Sequence, residues 1–325
     1  MLEVAYYAVS LGSYEQAEDF LKRQFNATIN DDTVRKVVNL IGRYVYLNDC
    51  KNAESAIDTF CSKSLDFSKN RDGVLYLETD GSLINTRSKD KNGSAWKENK
   101  IGIAFNSDDI YKWKNKKGEI CQKIDKREYI CIFGSVDEFK KHFLYLALKN
   151  GYGKFKKTVI ISDGATWIRN INNELFPDSQ QILDYFHLCE NTSNYCKSLF
   201  SYDNKTCKNI SDRWCQLLKK GKWELVLKEI EQYRNNNIKS DTINLYNYII
   251  NNCDNINYPE YISNGFFIGS GAIESANKTV VQSRLKLSGM RWNQDCAQYV
   301  LSLKAKSCSN KWFEVVNVFR KYFPF

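Results

Sequence analysis

A chain of 325 residues with 20 Tyr, 18 Phe and 7 Trp has ample material for a core, and room for two domains or for one with a large insertion. Its eleven cysteines are odd in number with no Cys-x-x-Cys pair, and there are only two histidines; this argues against a disulfide framework or a structural zinc site and for a reducing cytoplasm. The formal charge of +9, with no apolar run of about 18 residues and no export pattern at Met1, points away from a membrane span and toward an anionic partner.

The positive excess is uneven. Residues 86–127 carry twelve Lys/Arg against six Asp/Glu, and residues 271–325 carry nine against three. Two such regions flanking acidic residues suit a polyphosphate substrate.

In chain order, residues 13–48 read as two helices. Ser13 with Gln16 forms a capping-box pattern, followed by Ala17, Phe20, Leu21 and Phe25 at helical spacing. Residues 26–30 break the pattern, Asp31 and Asp32 can cap a second helix, and Arg35 and Lys36 turn away from its Val34, Val37, Val38 and Ile41 face. This arrangement is compatible with a helix-turn-helix DNA reader, and equally with an ordinary helical hairpin. Residues 49–70 read as a further helix and a polar connector.

Strand-like runs follow at 74–84, 100–106 and 128–134, then a helix at 136–149. The unbroken apolar run at 158–162 reads as a buried, parallel strand, 165–174 as a helix and 181–186 as a strand. Three antiparallel strands followed by βα units is the order of a ribonuclease-H-like α/β fold. Residues 188–258 show only helical periodicity, with Trp214, Leu217 and Leu218, then Leu225, Val226 and Ile230 beyond Gly221, and later Leu245, Tyr248 and Ile249. Residues 265–325 open on a glycine-rich turn and continue as helices. The expected organisation is an N-terminal helical region (1–70), a first part of the core (71–187), a helical insertion (188–262) and a completing segment (263–325).

Three carboxylates stand out by context. Asp80 sits within the first strand, Asp163 ends the buried strand, and Glu274 opens a helix after Gly269-Ser270-Gly271. In-line phosphodiester chemistry is served by two Mg²⁺ ions, hard cations that take carboxylate oxygens. Each acid has a plainer reading. Asp80-Gly81 is also a turn dipeptide, Asp163-Gly164 is also a turn or a helix cap, and Glu274 also complements a helix dipole.

Glu-Thr-Asp-Gly-Ser at 78–82, Ile-Ser-Asp-Gly-Ala at 161–165, Asp-Tyr-Phe-His at 184–187 and Gly-Ser-Gly-Ala-Ile-Glu-Ser at 269–275 resemble bacterial insertion-sequence DDE transposases. Arg284-Leu285-Lys286-Leu287-Ser288-Gly289-Met290-Arg291-Trp292 adds to the likeness, which covers about residues 13–312 and is nearest the Kra-type and Lre-type groups. The resemblance implies a ribonuclease-H-like catalytic core with an all-helical insertion between the second Asp and the Glu. It places the catalytic, metal-holding triad on Asp80, Asp163 and Glu274, with two Mg²⁺ ions (or Mn²⁺) as cofactors. It also implies a signature at Asp184 and His187, where the histidine orients a ligand, touches the scissile phosphate or makes a structural hydrogen bond.

The implied partners are DNA, as terminal repeats and target, and further copies of the chain assembled on it, in a bacterial cytoplasm at the nucleoid. Relatives often carry a longer region before the helix-turn-helix, so the resemblance also implies a copy short of part of its end-recognition region. The alternatives are a catalytically idle DNA-binding remnant and a ribonuclease-H-like nuclease or resolvase. Arg284, Lys286 and Arg291 are expected to grip phosphates. Lys112, Lys114, Lys116 and Lys117 are expected in a solvated loop, and Trp96, Trp113, Trp167 and Trp292 in the core.

Overall fold

A computed structural model describes residues 1–62, 67–200, 203–233 and 244–324. The fold is mixed α/β, with both antiparallel and parallel strand pairs. It divides into two compact units, residues 1–158 with 272–325, and residues 159–271.

The first unit begins with α1 (Leu2–Ser10), α2 (Tyr14–Phe25) and α3 (Asp31–Cys61). Ser13 caps α2 as expected, its hydroxyl accepting from the Gln16 N–H at 3.1 Å, while Gln16 Oε1 accepts from the Gly12 N–H. Asn26 ends α2 in the left-handed region, with φ of 49°. Two details differ from the expectation. The cap of α3 is Asn30, not Asp31 or Asp32. The helix also runs unbroken through Asn48-Asp49, where polar residues suggested an end, because Asp49 points inward to Lys306 at 3.0 Å. The connector expected at 63–66 lies outside the described residues.

Strands β1 (Arg71–Asn85), β2 (Trp96–Asn106), β3 (Ile110–Lys114), β4 (Ile120–Ile124) and β5 (Glu128–Ile132) follow. β1 pairs antiparallel with β2, and β2 with β5, so Asp80 lies opposite Ile101 and Ile101 opposite Cys131. The three expected strands are thus present. β3 and β4 form a separate antiparallel ribbon where a solvated loop was expected. Its alternation is invisible in sequence because Tyr111, Lys112, Trp113 and Lys114 are all exposed.

Helix α4 (Val136–Lys149) has the predicted limits, with a Ser135 cap and buried Phe139, Phe143, Leu146 and Ala147. It packs against β2, β5 and α3. Gly102 on β2 leaves room for the Phe143 ring, which a Cβ there would meet at 2.9 Å. Helix α13 (Gln294–Cys308) covers β5. Its Gln298 accepts from the Phe133 N–H at 2.6 Å and donates to the Cys131 carbonyl at 3.0 Å, supplying hydrogen bonds that an edge strand lacks.

Strand β6 (Phe155–Ser162) starts in the first unit and enters the second after Thr158. There it pairs in parallel with β7 (Gln180–Leu183), from Val159 opposite Gln180 to Ser162 opposite Leu183. Helix α5 (Thr166–Leu175) connects them. Then come α6 (Tyr185–Leu199), α7 (Asn204–Lys219), α8 (Trp223–Glu231), α9 (Leu245–Asn251) and α10 (Tyr258–Ser263). Trp214, Leu218, Val226, Ile230, Leu245 and Ile249 are buried as their spacing predicts, although Leu225 is exposed. Gly221, at φ of 70°, makes the break between α7 and α8. The helical expectation at 201–202 and 234–243 lies outside the described residues.

The chain returns to the first unit in α11 (Gly271–Ala276) and continues as a π-helix at Asn277–Gln282. Helices α12 (Ser283–Leu285), α13 (Gln294–Cys308) and α14 (Trp312–Tyr322) complete it. Lys149 of α4 and Lys306 of α13 both pair with Glu314 of α14, which ties the helices around α3 together through buried charge.

Candidate functional site

Asp80 is not in a turn. Ten residues of strand around it pair in register with β2, and Gly81 is opposite Lys100. Gly81 has an ordinary backbone angle, and the nearest atom to a Cβ there, Glu98 Oε1 at 2.3 Å, is the end of a flexible, part-exposed side chain. Glu98 in turn pairs with Lys100 at 3.0 Å. Asp80 Oδ1 accepts from the Gly81 N–H at 2.7 Å.

The helix bearing Glu274 docks on this same strand. Glu78, two residues before Asp80 and 1 % exposed, accepts from the Ile273 N–H at 2.8 Å. Its carboxylate thereby meets one of the N–H groups that an α-helix leaves free at its start. One turn later, Asn277 Nδ2 donates to Asp80 Oδ2. Glu274 and Asn277 are three residues apart and share a helix face. Glu274 is exposed in the first turn of α11. The backbone widens to a π-helix from Asn277 onward, a deviation found frequently at functional sites.

Asp163 and Asp184 belong to the second unit. Asp163 follows β6, and its Oδ1 accepts from the Ala165 N–H at 2.9 Å, closing a short turn at the start of α5. Gly164 is required there on two grounds, a φ of 79° and a Leu183 methyl only 2.7 Å from where a Cβ would lie. Tyr248 O–H donates to the Asp163 carbonyl at 2.6 Å, fixing the loop from α9. The expected strand to residue 186 stops at Leu183, because Asp184 caps α6 through the Phe186 N–H at 2.8 Å. Its second oxygen accepts from the Ser270 hydroxyl, and Asp184 is 2 % exposed. The Tyr185 N–H also donates to the Ile268 carbonyl at 2.8 Å, so this corner holds the turn that leads into α11. Asp184 is therefore a structural carboxylate. His187 is partly exposed, with Glu190 Oε2 3.9 Å from its Nδ1.

The basic residues separate into two groups. Arg284 was expected to hold phosphate, but it is 1 % exposed. Its guanidinium lies over Tyr14 at 4.4 Å and Trp292 at 5.2 Å, and Nε donates to the Ala8 carbonyl at 3.1 Å. Burial lowers its pKa. It clasps α1 and α2 to the C-terminal segment and has no surface to offer a phosphate. Trp292 anchors the same segment, with its backbone bonded to Asn85 and Arg87 and its indole N–H donating to the Leu285 carbonyl. Lys286 and Arg291, by contrast, are exposed. Partial desolvation lowers the pKa of Lys286, while Asp80 opposes this, which puts Lys286 within the field of the acidic site.

Arg35 and Lys36 are also exposed, and both pair with Asp32 within α3, Lys36 at 2.7 Å. The opposite face of that helix packs on α1, α2, α4, α13 and α14. Trp292 is buried as expected, but Trp96 and Trp113 are exposed.

The donor set on β1 and α11 consists of oxygens, which suits a hard cation such as Mg²⁺ and not a soft one. Asn277 adds a second indication. Its Oδ1 is buried with no hydrogen-bond partner while its Nδ2 holds Asp80, leaving an unsatisfied oxygen beside the carboxylate. The oxygens of Asp80 and Asn277 therefore fit a hard cation; among the described residues, Asp80, Asp163 and Glu274 do not form a group whose ligand atoms all lie within 4.8 Å of one another.

Sequence spacing gave no sign of a second cluster, Cys50 on α3 with Glu138 and His142 on α4, whose ligand atoms lie within 4.8 Å of one another. Glu138 accepts from Tyr46 O–H, burial pushes the Cys50 thiol up to about 11, and burial pulls the His142 imidazole down to about 4. The Tyr46–Glu138 hydrogen bond joins α3 to α4 beside these two groups.

Asn277, Glu78 and Ser270 were missed at the level of sequence. Glu78 alone carried a signal, a charge at an inward position two residues before Asp80.

No curated protein matches the chain. Among the described residues, no helix is long and apolar enough to cross a membrane. A family model, that of an uncharacterised protein family, UPF0236, matches residues 2–319, and the chain belongs to that family.

Proposed function

We propose that the protein is a DNA transposase that cuts phosphodiesters at the ends of an insertion sequence and joins the freed 3′-hydroxyls to target DNA. In this reading a ribonuclease-H-like core carries Asp80, Asp163 and Glu274 as the metal-holding carboxylates. The observation that carries the reading is the docking of the Glu274 helix on the Asp80 strand, through Glu78 to Ile273 and Asn277 to Asp80. A helix that only supported the sheet would not need a buried asparagine holding the Asp80 carboxylate, and Glu274 lies in the first turn of that same helix. The transposase-like motifs at 78–82, 161–165 and 269–275 add the order of the acids.

Bound divalent ions would supply Lewis-acid stabilisation of the attacking and leaving oxygens. The protein's own residues do the rest. Gly81 N–H and Asn277 fix the direction of the Asp80 carboxylate. Glu78 holds the first turn of α11, so Glu274 is presented from a fixed helix. The Asp163 turn is set by its bond to Ala165 and by the Tyr248 contact. Lys286 provides a positive charge near Asp80 that draws a phosphate to the carboxylates and lowers their mutual repulsion.

The test is cleavage and strand transfer by the full chain on DNA carrying the repeats that flank its gene, in Mg²⁺ and in Mn²⁺. Asp80→Asn, Asp163→Asn and Glu274→Gln are expected to abolish both steps while the circular dichroism spectrum and DNA binding in EDTA are retained. Cleavage by Asp80→Asn or Glu274→Gln at the parent's rate would overturn the assignment. Cleavage without joining would instead mark a nuclease.

A further inference from the structure

The β3–β4 ribbon is unlike the rest of the surface. Five lysines, at 112, 114, 116, 117 and 123, lie on it or its turn, against one acid, Glu119. Glu119 is occupied by the turn itself, since Asn115 Nδ2 donates to its carboxylate at 2.7 Å and Asn115 Oδ1 accepts from the Lys117 and Glu119 N–H groups. Among the described residues, none of the five lysines is in an ion pair. Lysine on an exposed ribbon has a plain purpose, to keep strands from pairing with other chains. That purpose does not account for the aromatic residues. Tyr111 and Trp113 are 66 % and 43 % exposed on the same face of β3, stacked with ring centres 6.1 Å apart and planes at 28°. The residue opposite Tyr111, on that same face, is Lys123.

An exposed aromatic pair beside unpaired ammonium groups matches a strand of nucleic acid, whose bases stack and whose phosphates pair with cations. The ribbon is also held at its base, where the Asp125 N–H donates to the Asp109 carbonyl and Asn106 Nδ2 donates to Asp109 at 2.6 Å. It presents these groups from a fixed root.

We infer that the β3–β4 ribbon is a nucleic-acid-binding arm, with Tyr111 and Trp113 as a stacking platform for unpaired bases and the five lysines as phosphate contacts. The inference rests on the proposed action on DNA for its choice of nucleic acid. Its ligand is single-stranded or locally opened DNA, such as cutting at an element end produces.

The experiment measures binding of the full chain to a labelled oligothymidylate and to a duplex of equal length, by fluorescence anisotropy in EDTA across a salt series. Tyr111→Ala with Trp113→Ala is expected to weaken oligothymidylate binding roughly ten-fold or more and duplex binding much less. Replacing all five lysines with Gln is expected to flatten the salt dependence for the single strand, by a slope change of up to about 3.5 if each meets one phosphate. The melting temperature should be unchanged in both, because the altered side chains are exposed. Parent-like affinity of the aromatic variant for oligothymidylate would overturn the inference. So would an effect of that variant on oligomeric state by light scattering with DNA binding intact, which would assign the face to a protein contact. No cleavage occurs in EDTA, so the result is separate from the fate of the triad. A protein that binds through the ribbon but never cuts keeps this inference and loses the enzyme reading.

Discussion

Replacing Arg284 separates a structural arginine from a phosphate-binding one. Truncation to Ala removes two desolvated cation–π contacts, each worth about 0.5–2 kcal/mol, and a charged hydrogen bond to the Ala8 carbonyl worth about 1.5–3 kcal/mol. It also removes a buried stem of three methylenes, at about 0.8 kcal/mol each. Against this stands release from the several kcal/mol that a buried cation costs, and from the unpaired Nη2. The net expectation is a loss of about 3 kcal/mol for Arg284→Ala. For Arg284→Met, which keeps the stem and drops the charge, it is about 1 kcal/mol or less. Urea unfolding followed by tryptophan fluorescence measures both. DNA binding in EDTA, under conditions where every variant is folded, supplies the contrast. Arg284→Met should leave affinity and salt slope unchanged. Lys286→Gln, at the surface, should leave stability within about 0.5 kcal/mol and reduce the duplex salt slope by about 0.9. The reasoning fails if Arg284→Met is as stable as the parent but loses affinity with a shallower slope, because the guanidinium would then face phosphate and not rings.

Asn277→Ala should lower cleavage by roughly 10–100-fold and raise the Mg²⁺ concentration needed, as loss of a group that orients a ligand carboxylate does; unchanged metal dependence would remove Asn277 from the site. For His142, the folded pKa of about 4 lies below the ordinary value of about 6.5, so the unfolded chain takes up the proton first. This contribution to stability is complete above about pH 6.5 and lost as pH falls toward 4, amounting to about 3 kcal/mol. Urea unfolding at a series of pH values should therefore show a shallower acid decline for His142→Gln than for the parent, and parallel curves would contradict the assignment.

The legible parts of the chain were those where apolar periodicity and burial coincide. Helix α4 was found to the residue because Phe139, Phe143, Leu146 and Ala147 are its buried stripe and Ser135 its cap. β6 was visible because its apolar run is interior. The failures share a cause. The sequence at 48–52 reads as polar, yet Asp49 lies inside, paired with a lysine 257 residues away, so α3 seemed to end where it continues. β3 is exposed on both faces from Tyr111 to Lys114 and leaves no alternating pattern. Arg284 reads as a surface cation because its two rings come from residues 14 and 292, and only the folded chain brings them together. In the proposed site, Asp80 and Glu274 stand out in sequence by their glycine-flanked contexts. Asn277 was hidden, because nothing local distinguishes an asparagine on an inward helix face from one that holds a carboxylate.

The clasp between the N-terminal helices and the C-terminal segment also bears on the order of events during synthesis. Arg284 bonds to a carbonyl 276 residues earlier, and Ile273 to a carboxylate 195 residues earlier. Between the two parts of the first unit stand the 113 residues of the second. At about 5–20 residues per second, a ribosome needs on the order of ten seconds to bridge that gap. Through that interval α1 and α2 wait without Arg284 and Trp292, and the Asp80 strand waits without α11. A chain interrupted before α11 therefore carries the first acid but not its helix partner, and the proposed activity arises only after the second unit and α11 have been made.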